Sequence, residues 1–483
     1  MDEIDEKGRW TLPDVRYVVL SDLHFGAENS ILTALADGGD PTADPSRRSP
    51  VLGAFVECLS EVVAANESSE LPTLILAGDI LELALAEDEV AATVFEQFAD
   101  LVVGEHPLFD DLIWFVPGNH DHHMWETARE GLYAQQLVSL DESLPIPPPT
   151  HATCLFPEHG EAVLEAGLLS ALVQRRHKTT KARVRAAYPN FGLLSSDRDR
   201  CVVVHHGHYI ESMYLLMSSL NQLMFNKPLP DDVAEIEGDN FAWIDFFWSS
   251  LGRSGEVGED VNRIYDMLQS EKAVDRLVLT LATAISERAP GGAVRKWMTR
   301  KVVRDLFVHL AKRAGRLERH HPSAPLSANA QKGLQAYLEG PLRTQISSEL
   351  QSVPSTTLVF GHTHKPFESS RVAQGFASPV LLANTGGWVV DTVDTNPLQG
   401  AAAILVDEDL HVASVRLYDQ SKNESDYHVR VAPVTGEDTP LAKRLSELVR
   451  PDDGPWRALS RAVSVAVPER HRALETIIER STP

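Results

Sequence analysis

The stretch Thr357-Leu358-Val359-Phe360-Gly361-His362-Thr363-His364 joins a short apolar run to two histidines one residue apart. The β-branched and aromatic residues of the run predict a buried strand over 357–360. Two imidazoles that follow such a strand can point into one cleft, and imidazole is the commonest protein ligand for a divalent metal. A lone His-x-His is weak evidence, so the rest of the chain has to support a metal site.

Four earlier apolar runs also end in residues of metal-ligating type. We predict strands over 17–20, 74–76, 112–116 and 201–204, and they run into Ser21-Asp22-Leu23-His24, Gly78-Asp79, Pro117-Gly118-Asn119-His120-Asp121 and His205-His206-Gly207-His208. Ligand sites of open α/β sheets lie outside the carboxyl ends of strands, so these side chains are expected to converge. Their donors are oxygen and nitrogen, without thiolate, which suits Mn²⁺, Fe or Zn²⁺. The donors taken from the five blocks are two Asp, one Asn and four His. Seven ligands are too many for one ion and fit two ions that share a carboxylate.

The order of predicted elements indicates an α/β protein. Amphipathic helices are predicted over 51–65 and about 88–103, and they alternate with the early strands, which favours a largely parallel interior. Residues 26–50 are predicted to be a long surface loop with about one helical turn. From about 210 to 350 the apolar spacing is helical, and strands resume at 357–360, 380–382, 402–406 and 412–417.

This organisation predicts a core that is interrupted by an insertion. We expect the first part of the core over 13–210, a helical insertion or cap over 211–350, the second part of the core over 351–432 and a helical tail over 433–483.

The composition is acidic, with 44 Lys+Arg against 69 Asp+Glu and a net charge of −25. This charge argues against non-specific binding of nucleic acid or membrane by the whole surface. No apolar run approaches the roughly 20 residues of a membrane span. The acidic first six residues do not resemble a secretory leader, and Cys58, Cys154 and Cys201 are scattered. We therefore expect a cytoplasmic protein with free thiols.

The five blocks, in this order, resemble the calcineurin-like metallophosphoesterase superfamily, whose pattern is D-x-H, G-D, G-N-H-D/E, H and G-H-x-H. The resemblance covers roughly 13–210 and 351–420. It implies a two-sheet αββα metallophosphoesterase core, whereas the large helical insertion and the tail lie outside the resemblance. It also implies hydrolysis of a phosphomonoester, phosphodiester or pyrophosphate bond by a hydroxide that bridges two divalent metal ions.

The resemblance implies a role for each block. One ion would be bound by Asp22, His24 and His364, and the other by Asn119, His206 and His362, with Asp79 bridging both. His120 would contact the phosphoryl oxygens and protonate the leaving group, and Asp121 would orient it. Glu82 is left outside the ligand set as a structural or supporting group.

The fourth block leaves a choice among three histidines. His205, His206 and His208 all qualify as ligands, and His-Gly-His blocks of the superfamily favour His206. Because side chains alternate along a strand, His205 is expected to point away from His206. The nearby His122 and His123, with His320 and His321, are expected to be solvated loop histidines.

The sequence is compatible with several classes of substrate. Two basic stretches, at 175–185 and 295–319, are either solvated helix faces paired with acids or a collar for an anionic substrate. The apolar residues over 213–225 and 241–248 form either the insertion's own core or a groove for a lipid, as in the UDP-diacylglucosamine hydrolase branch. The substrate is thus expected to be a phosphorylated small molecule, a lipid-linked compound or a nucleotide, with nucleic acid not favoured. The alternatives are a nuclease or nucleotide-sugar-lipid pyrophosphatase, and a non-catalytic scaffold.

Overall fold

The apolar runs form strands in a computed structural model that describes residues 13–37, 41–157, 164–178, 180–250, 323–435 and 439–481. In chain order the strands are β1 (Val15–Leu20), β2 (Thr33–Leu35), β3 (Ala43–Arg48), β4 (Thr73–Leu76), β5 (Leu112–Phe115), β6 (Arg183–Ala186), β7 (Asn190–Leu194), β8 (Arg200–His205), β9 (Ser355–Phe360), β10 (Phe367–Arg371), β11 (Val380–Asn384), β12 (Gly400–Asp407), β13 (Val412–Asp419) and β14 (Arg430–Pro433).

Helices lie between and after the strands. Numbered over the described residues, they are α1 (Pro50–Ala64), α2 (Asp88–Val102), α3 (His123–Ser139), α4 (Gly167–Arg176), α5 (Leu216–Phe225), α6 (Val233–Ile244), α7 (Ala328–Tyr337), α8 (Arg343–Glu349), α9 (Pro440–Leu448) and α10 (Gly454–Ser481). The α/β class is therefore confirmed. The helices predicted over 51–65 and 88–103 are α1 and α2.

Two mixed sheets form the framework. The first has the order β14-β13-β12-β1-β4-β5-β6, in which β1, β4, β5 and β6 are parallel. The second has the order β10-β11-β9-β8-β7, in which β11, β9 and β8 are parallel. The strands that flank each parallel centre pair antiparallel with their neighbours. The largely parallel interior expected from the sequence is therefore limited to the centre of each sheet.

The two sheets share an apolar layer. Val19 and Ile75 of the first sheet lie in one buried cluster with Val204 and Val359 of the second, and the rings of Trp114 and Phe191 pack against each other with centroids 4.6 Å apart and planes at 31°. Alternate residues of the same strands belong to a larger cluster that includes the buried faces of the helices. The period of two along each strand thus divides its side chains between the layer within the sandwich and the helical layers outside.

Some elements differ from the sequence predictions. The segment over 26–50 contains the short antiparallel pair β2 and β3 rather than only a loop. Strands β6, β7, β10 and β14 and helices α3 and α4 were not predicted, because their apolar residues are few or lack a clear period. The predicted helical stripes over 261–268 and 294–310 lie outside the described residues.

The described parts of the predicted insertion pack on the core. The Tyr337 hydroxyl in α7 donates a hydrogen bond to Asn190 at the start of β7, and Asn190 donates to Gln345 in α8. In the part of the chain that the structure describes, no helix is long and apolar enough to cross a membrane.

Candidate metal centre

The carboxyl ends of the parallel strands from both sheets meet at one place. Strands β1, β4 and β5 deliver the first three sequence blocks, and β8 and β9 deliver the last two. The connecting loops are joined by backbone hydrogen bonds: Asp22 N donates to Gly78 O over 2.9 Å, and Gly361 N donates to His206 O over 2.8 Å. The predicted ligands are thus brought together by the packing of two sheets.

One group of donors surrounds the first predicted ion site. The donor atoms of Asp22, His24 and His364 lie within 4.8 Å of one another, and all three residues are buried. His364 Nε2 is 3.2 Å from Asp22 Oδ1 and 3.3 Å from His24 Nε2. This spacing fits donors that share one cation.

A second group surrounds the other predicted site. The donor atoms of Asp79, His206 and His362 also lie within 4.8 Å of one another. His206 Nε2 is 3.2 Å from Asn119 Oδ1, so the asparagine lies beside the same group.

Asp79 connects the two groups. Its Oδ2 atom lies 3.3 Å from His206 Nε2 and 3.7 Å from His24 Nε2. Its Oδ1 atom accepts a hydrogen bond of 2.8 Å from the backbone N–H of His120, which fixes the carboxylate between the groups. All seven predicted ligands therefore lie in two adjoining clusters with Asp79 between them.

The backbone at the ligands is unusual. Asp22, His24, Asp79, His362 and His364 have φ angles between 44° and 70°. Residues other than glycine rarely adopt this left-handed region, although Asp and His tolerate it better than most. Strain of this kind persists where the surroundings hold it, and it clusters at functional sites.

Two glycines make room for the carboxylates. A Cβ atom on Gly361 would overlap Asp22 Oδ2 and Ser21 Oγ, and a Cβ atom on Gly118 would overlap Asp79. Close approach of the backbone to these side chains is therefore possible only with glycine at both positions.

Three of the four histidines in the clusters have Nδ1 in contact with a protein oxygen. Nδ1 of His24 lies 2.8 Å from Glu82 and Nδ1 of His364 lies 2.5 Å from Asp391, whereas Nδ1 of His206 lies 3.1 Å from the Ala77 carbonyl. A histidine that binds a metal usually donates its other N–H to such a group, which fixes the tautomer.

Buried carboxylates and histidines shift each other's pKa values at the centre. Burial raises the pKa of Asp79, but the surrounding histidines, chiefly His206, outweigh burial and hold this pKa well below its ordinary value. The pKa values of Asp22 and Glu82 are also lowered despite burial, the latter chiefly by His120. The same contacts raise the pKa of His206 to about 9 and that of His364 to about 10, so the carboxylates and the imidazoles stabilise each other's charged forms.

These residues fit a pair of divalent cations. When Nδ1 of His24 and Nδ1 of His364 each donate a proton to a carboxylate, the two Nε2 atoms, 3.3 Å apart, are available to bind one cation. A cation bound by both nitrogens would also neutralise the buried carboxylates.

The orientation of His120 corrects one expectation. His120 Nδ1 lies 2.8 Å from Glu82 Oε1, whereas the carboxylate oxygens of Asp121 accept hydrogen bonds of 2.7 Å from the backbone N–H groups of Ile80 and Gly118. The acid that orients His120 is therefore Glu82, and Asp121 holds the two loops together. Burial and the charge of Asp79 raise the pKa of Asp121 to about 7.

The three histidines of the fourth block have different surroundings. His206 faces Asp79, whereas the rings of His205 and Tyr337 pack with centroids 4.8 Å apart and His208 Nε2 lies 3.0 Å from the Tyr188 hydroxyl. The structure thus brings only His206 of these three into the two clusters.

A further buried trio, His122, Glu126 and Glu237, also has donor atoms within 4.8 Å of one another. Glu126 is paired with Arg129, and the Trp125 indole donates to Glu237 over 2.9 Å. Protein donors therefore already satisfy both carboxylates of this trio. His122 is fully buried, so the expectation that it is a solvated loop histidine is wrong; His320 and His321 lie outside the described residues.

The first basic stretch is paired with acids. Arg175 contacts Glu96, and Arg176 and His177 contact Asp100 at 3.1 Å. This pairing favours a solvated helix face over a substrate collar at 175–177. The second stretch lies outside the described residues.

Sequence reasoning missed two carboxylates at the centre. Asp391 supports His364, and Glu211 lies 2.8 Å from His362 Nε2. Neither belongs to a block with a recognisable spacing, so no local pattern pointed to them.

No protein-family model matches this chain, and no curated protein matches it.

Proposed function

We propose that the chain is a metal-dependent phosphoester hydrolase of the calcineurin-like type. The observation that carries the proposal is the position of the Asp79 carboxylate, 3.3 Å from a histidine of one donor group and 3.7 Å from a histidine of the other. A carboxylate shared in this way is what a pair of neighbouring cations requires. Two such cations, when bound, neutralise phosphoryl charge and lower the pKa of water.

Different residues would have different roles in this reaction. The two donor groups would hold the cations, and His120 lines the same cavity as Asp79 and Asn119. With Nδ1 of His120 held by Glu82, Nε2 is the nitrogen that would contact a phosphoryl oxygen and transfer a proton to the leaving group. The ionised Glu82 beside the ring stabilises the protonated imidazole, which suits a general acid.

The test combines metal analysis with turnover. Purified protein loaded with Mn²⁺ is expected to hold two ions per chain and to hydrolyse bis-p-nitrophenyl phosphate or p-nitrophenyl phosphate. Asp79→Ala is expected to lose both ions and all measurable turnover, because it removes the shared carboxylate. Asp409→Ala, an exposed aspartate on the turn between β12 and β13, is the matched control and should behave as the wild type.

His120→Ala separates binding from proton transfer. This variant should keep both ions and lose turnover by roughly 10²–10⁴-fold, the usual contribution of a general acid. Turnover near the wild-type rate would remove His120 from the reaction. A wild-type protein with neither metal nor turnover would favour a non-catalytic scaffold.

A further inference from the structure

Glu211 approaches the centre from outside the five sequence blocks. It directly follows the single turn His208–Ile210 after β8, at the start of the predicted insertion. Its Oε1 atom lies 2.8 Å from His362 Nε2, and it lines the same cavity as Asp79 and His120. Its side chain is 14% exposed, so it lies mostly within the protein.

The contact completes a pattern among the histidines. Glu82, Asp391 and the Ala77 carbonyl each hold the second nitrogen of one of the other three. When Nε2 of His362 donates its proton to Glu211, Nδ1 of the same ring carries the lone pair. Nδ1 is then the atom that can bind a cation together with Asp79 and His206.

The segment that carries Glu211 is fixed by further contacts. Tyr214 lies edge-on to the His362 ring, with centroids 5.2 Å apart and planes at 78°, and it packs against Trp248 at 5.2 Å. The Trp243 indole in α6 donates a hydrogen bond of 3.0 Å to the Met213 carbonyl. The position of Glu211 therefore depends on how the segment over 211–250 packs.

We propose that Glu211 is a positioning residue that orients His362 for the cation shared with Asn119 and His206. Occupancy of that site and docking of the segment over 211–250 are then coupled, and the coupling is reciprocal. The inference rests on the proposed function because it requires a cation at this site.

The test measures Mn²⁺ binding to the full chain by isothermal titration calorimetry and by metal analysis. Wild type, Glu211→Gln and Glu211→Ala are compared with Glu235→Gln, which changes an exposed glutamate of α6. Both Glu211 variants should bind Mn²⁺ about 10–100-fold more weakly at one of the two sites, as is typical when a carboxylate behind a metal-binding histidine is removed. The other site and the control should keep wild-type affinity.

Hydrogen exchange gives a readout of the coupling that is independent of turnover. Addition of Mn²⁺ should slow amide exchange over 211–225 in the wild type and in Glu235→Gln, and this slowing should be weaker in Glu211→Gln. Equal weakening of both Mn²⁺ sites would show a general loss of structure and would overturn the proposal.

The two proposals fail in different ways. Two wild-type sites with unchanged affinity in both Glu211 variants would refute the role of Glu211 and leave the phosphoesterase proposal standing. A wild-type chain that binds no divalent cation would refute both. The isosteric Glu211→Gln variant keeps the test decisive if Glu211→Ala fails to fold.

Discussion

At the scale of residues, the centre depends on side chains held on uncommon backbone. Five of the seven predicted ligands have left-handed φ angles, and glycines next to Asp22 and Asp79 let the loops approach them. Asp and His tolerate such angles, and they are also oxygen and nitrogen donors. Asp and His therefore meet both the conformational and the chemical requirement at the ends of β1, β4 and β9.

A pair of glycine variants tests this close approach. Gly361→Ala places a methyl group against Asp22 and Ser21, so we expect a loss of about 1–3 kcal/mol in the free energy of unfolding, together with weaker Mn²⁺ binding. Gly53→Ala in α1 has no heavy atom within 4 Å of the new methyl group and should raise stability by about 0.5–1 kcal/mol. Urea denaturation measures both, and an unchanged Gly361→Ala protein would contradict the packing described at Asp22.

At the scale of elements, one buried carboxylate attaches α6 to the core. Glu237 is fully buried and accepts hydrogen bonds from Trp125 in α3, from Tyr209 after β8 and from His122. Burial lowers the pKa of His122, but the charge of Glu237 outweighs burial and raises it above its ordinary value. The network thus joins three elements around one charge.

Glu237→Gln tests this attachment. The amide nitrogen of glutamine cannot accept a hydrogen bond, so at least one buried donor is left without its acceptor, and the free energy of unfolding should fall by about 2–3 kcal/mol. Glu235→Gln, on the exposed side of the same helix, should change it by less than about 0.5 kcal/mol. Equal effects of the two variants in chemical denaturation would show that Glu237 does not hold α6 in place.

At the scale of the whole molecule, the candidate centre joins the two sheets. Asp22 and Asp79 follow strands of the first sheet, whereas His206 and His362 belong to loops of the second. A cation held by both groups would bind the folded chain and not the unfolded one. The free energy of unfolding should therefore rise with the concentration of the metal ion.

Thermal unfolding checks this linkage. Mn²⁺ at one hundred times its dissociation constant should stabilise the wild type by about 2.7 kcal/mol per site and raise the melting temperature by a few degrees. A chelator should reverse the rise, and Asp79→Ala should show none. A rise of the same size in Asp79→Ala would place the stabilising cation elsewhere.

Much of the framework follows from the sequence alone. Apolar β-branched runs, helical spacing and the donors that end five strands are local patterns, so they predicted the main strands, α1, α2 and the seven residues that the structure brings together. The choice of His206 came from the resemblance to His-Gly-His blocks, and the alternation of side chains along a strand then placed His205 on the opposite face.

Long-range packing selected the hydrogen-bond partners of these residues. Glu82 rather than Asp121 holds His120, Asp391 holds His364, and Glu211 reaches His362 from 151 positions away in the chain. Which carboxylate meets which imidazole depends on how two sheets and the segment after β8 pack, and no period or spacing in the chain encodes that geometry. Local sequence therefore determined the donors and the strand ends that present them, whereas long-range packing determined how each donor is oriented and supported.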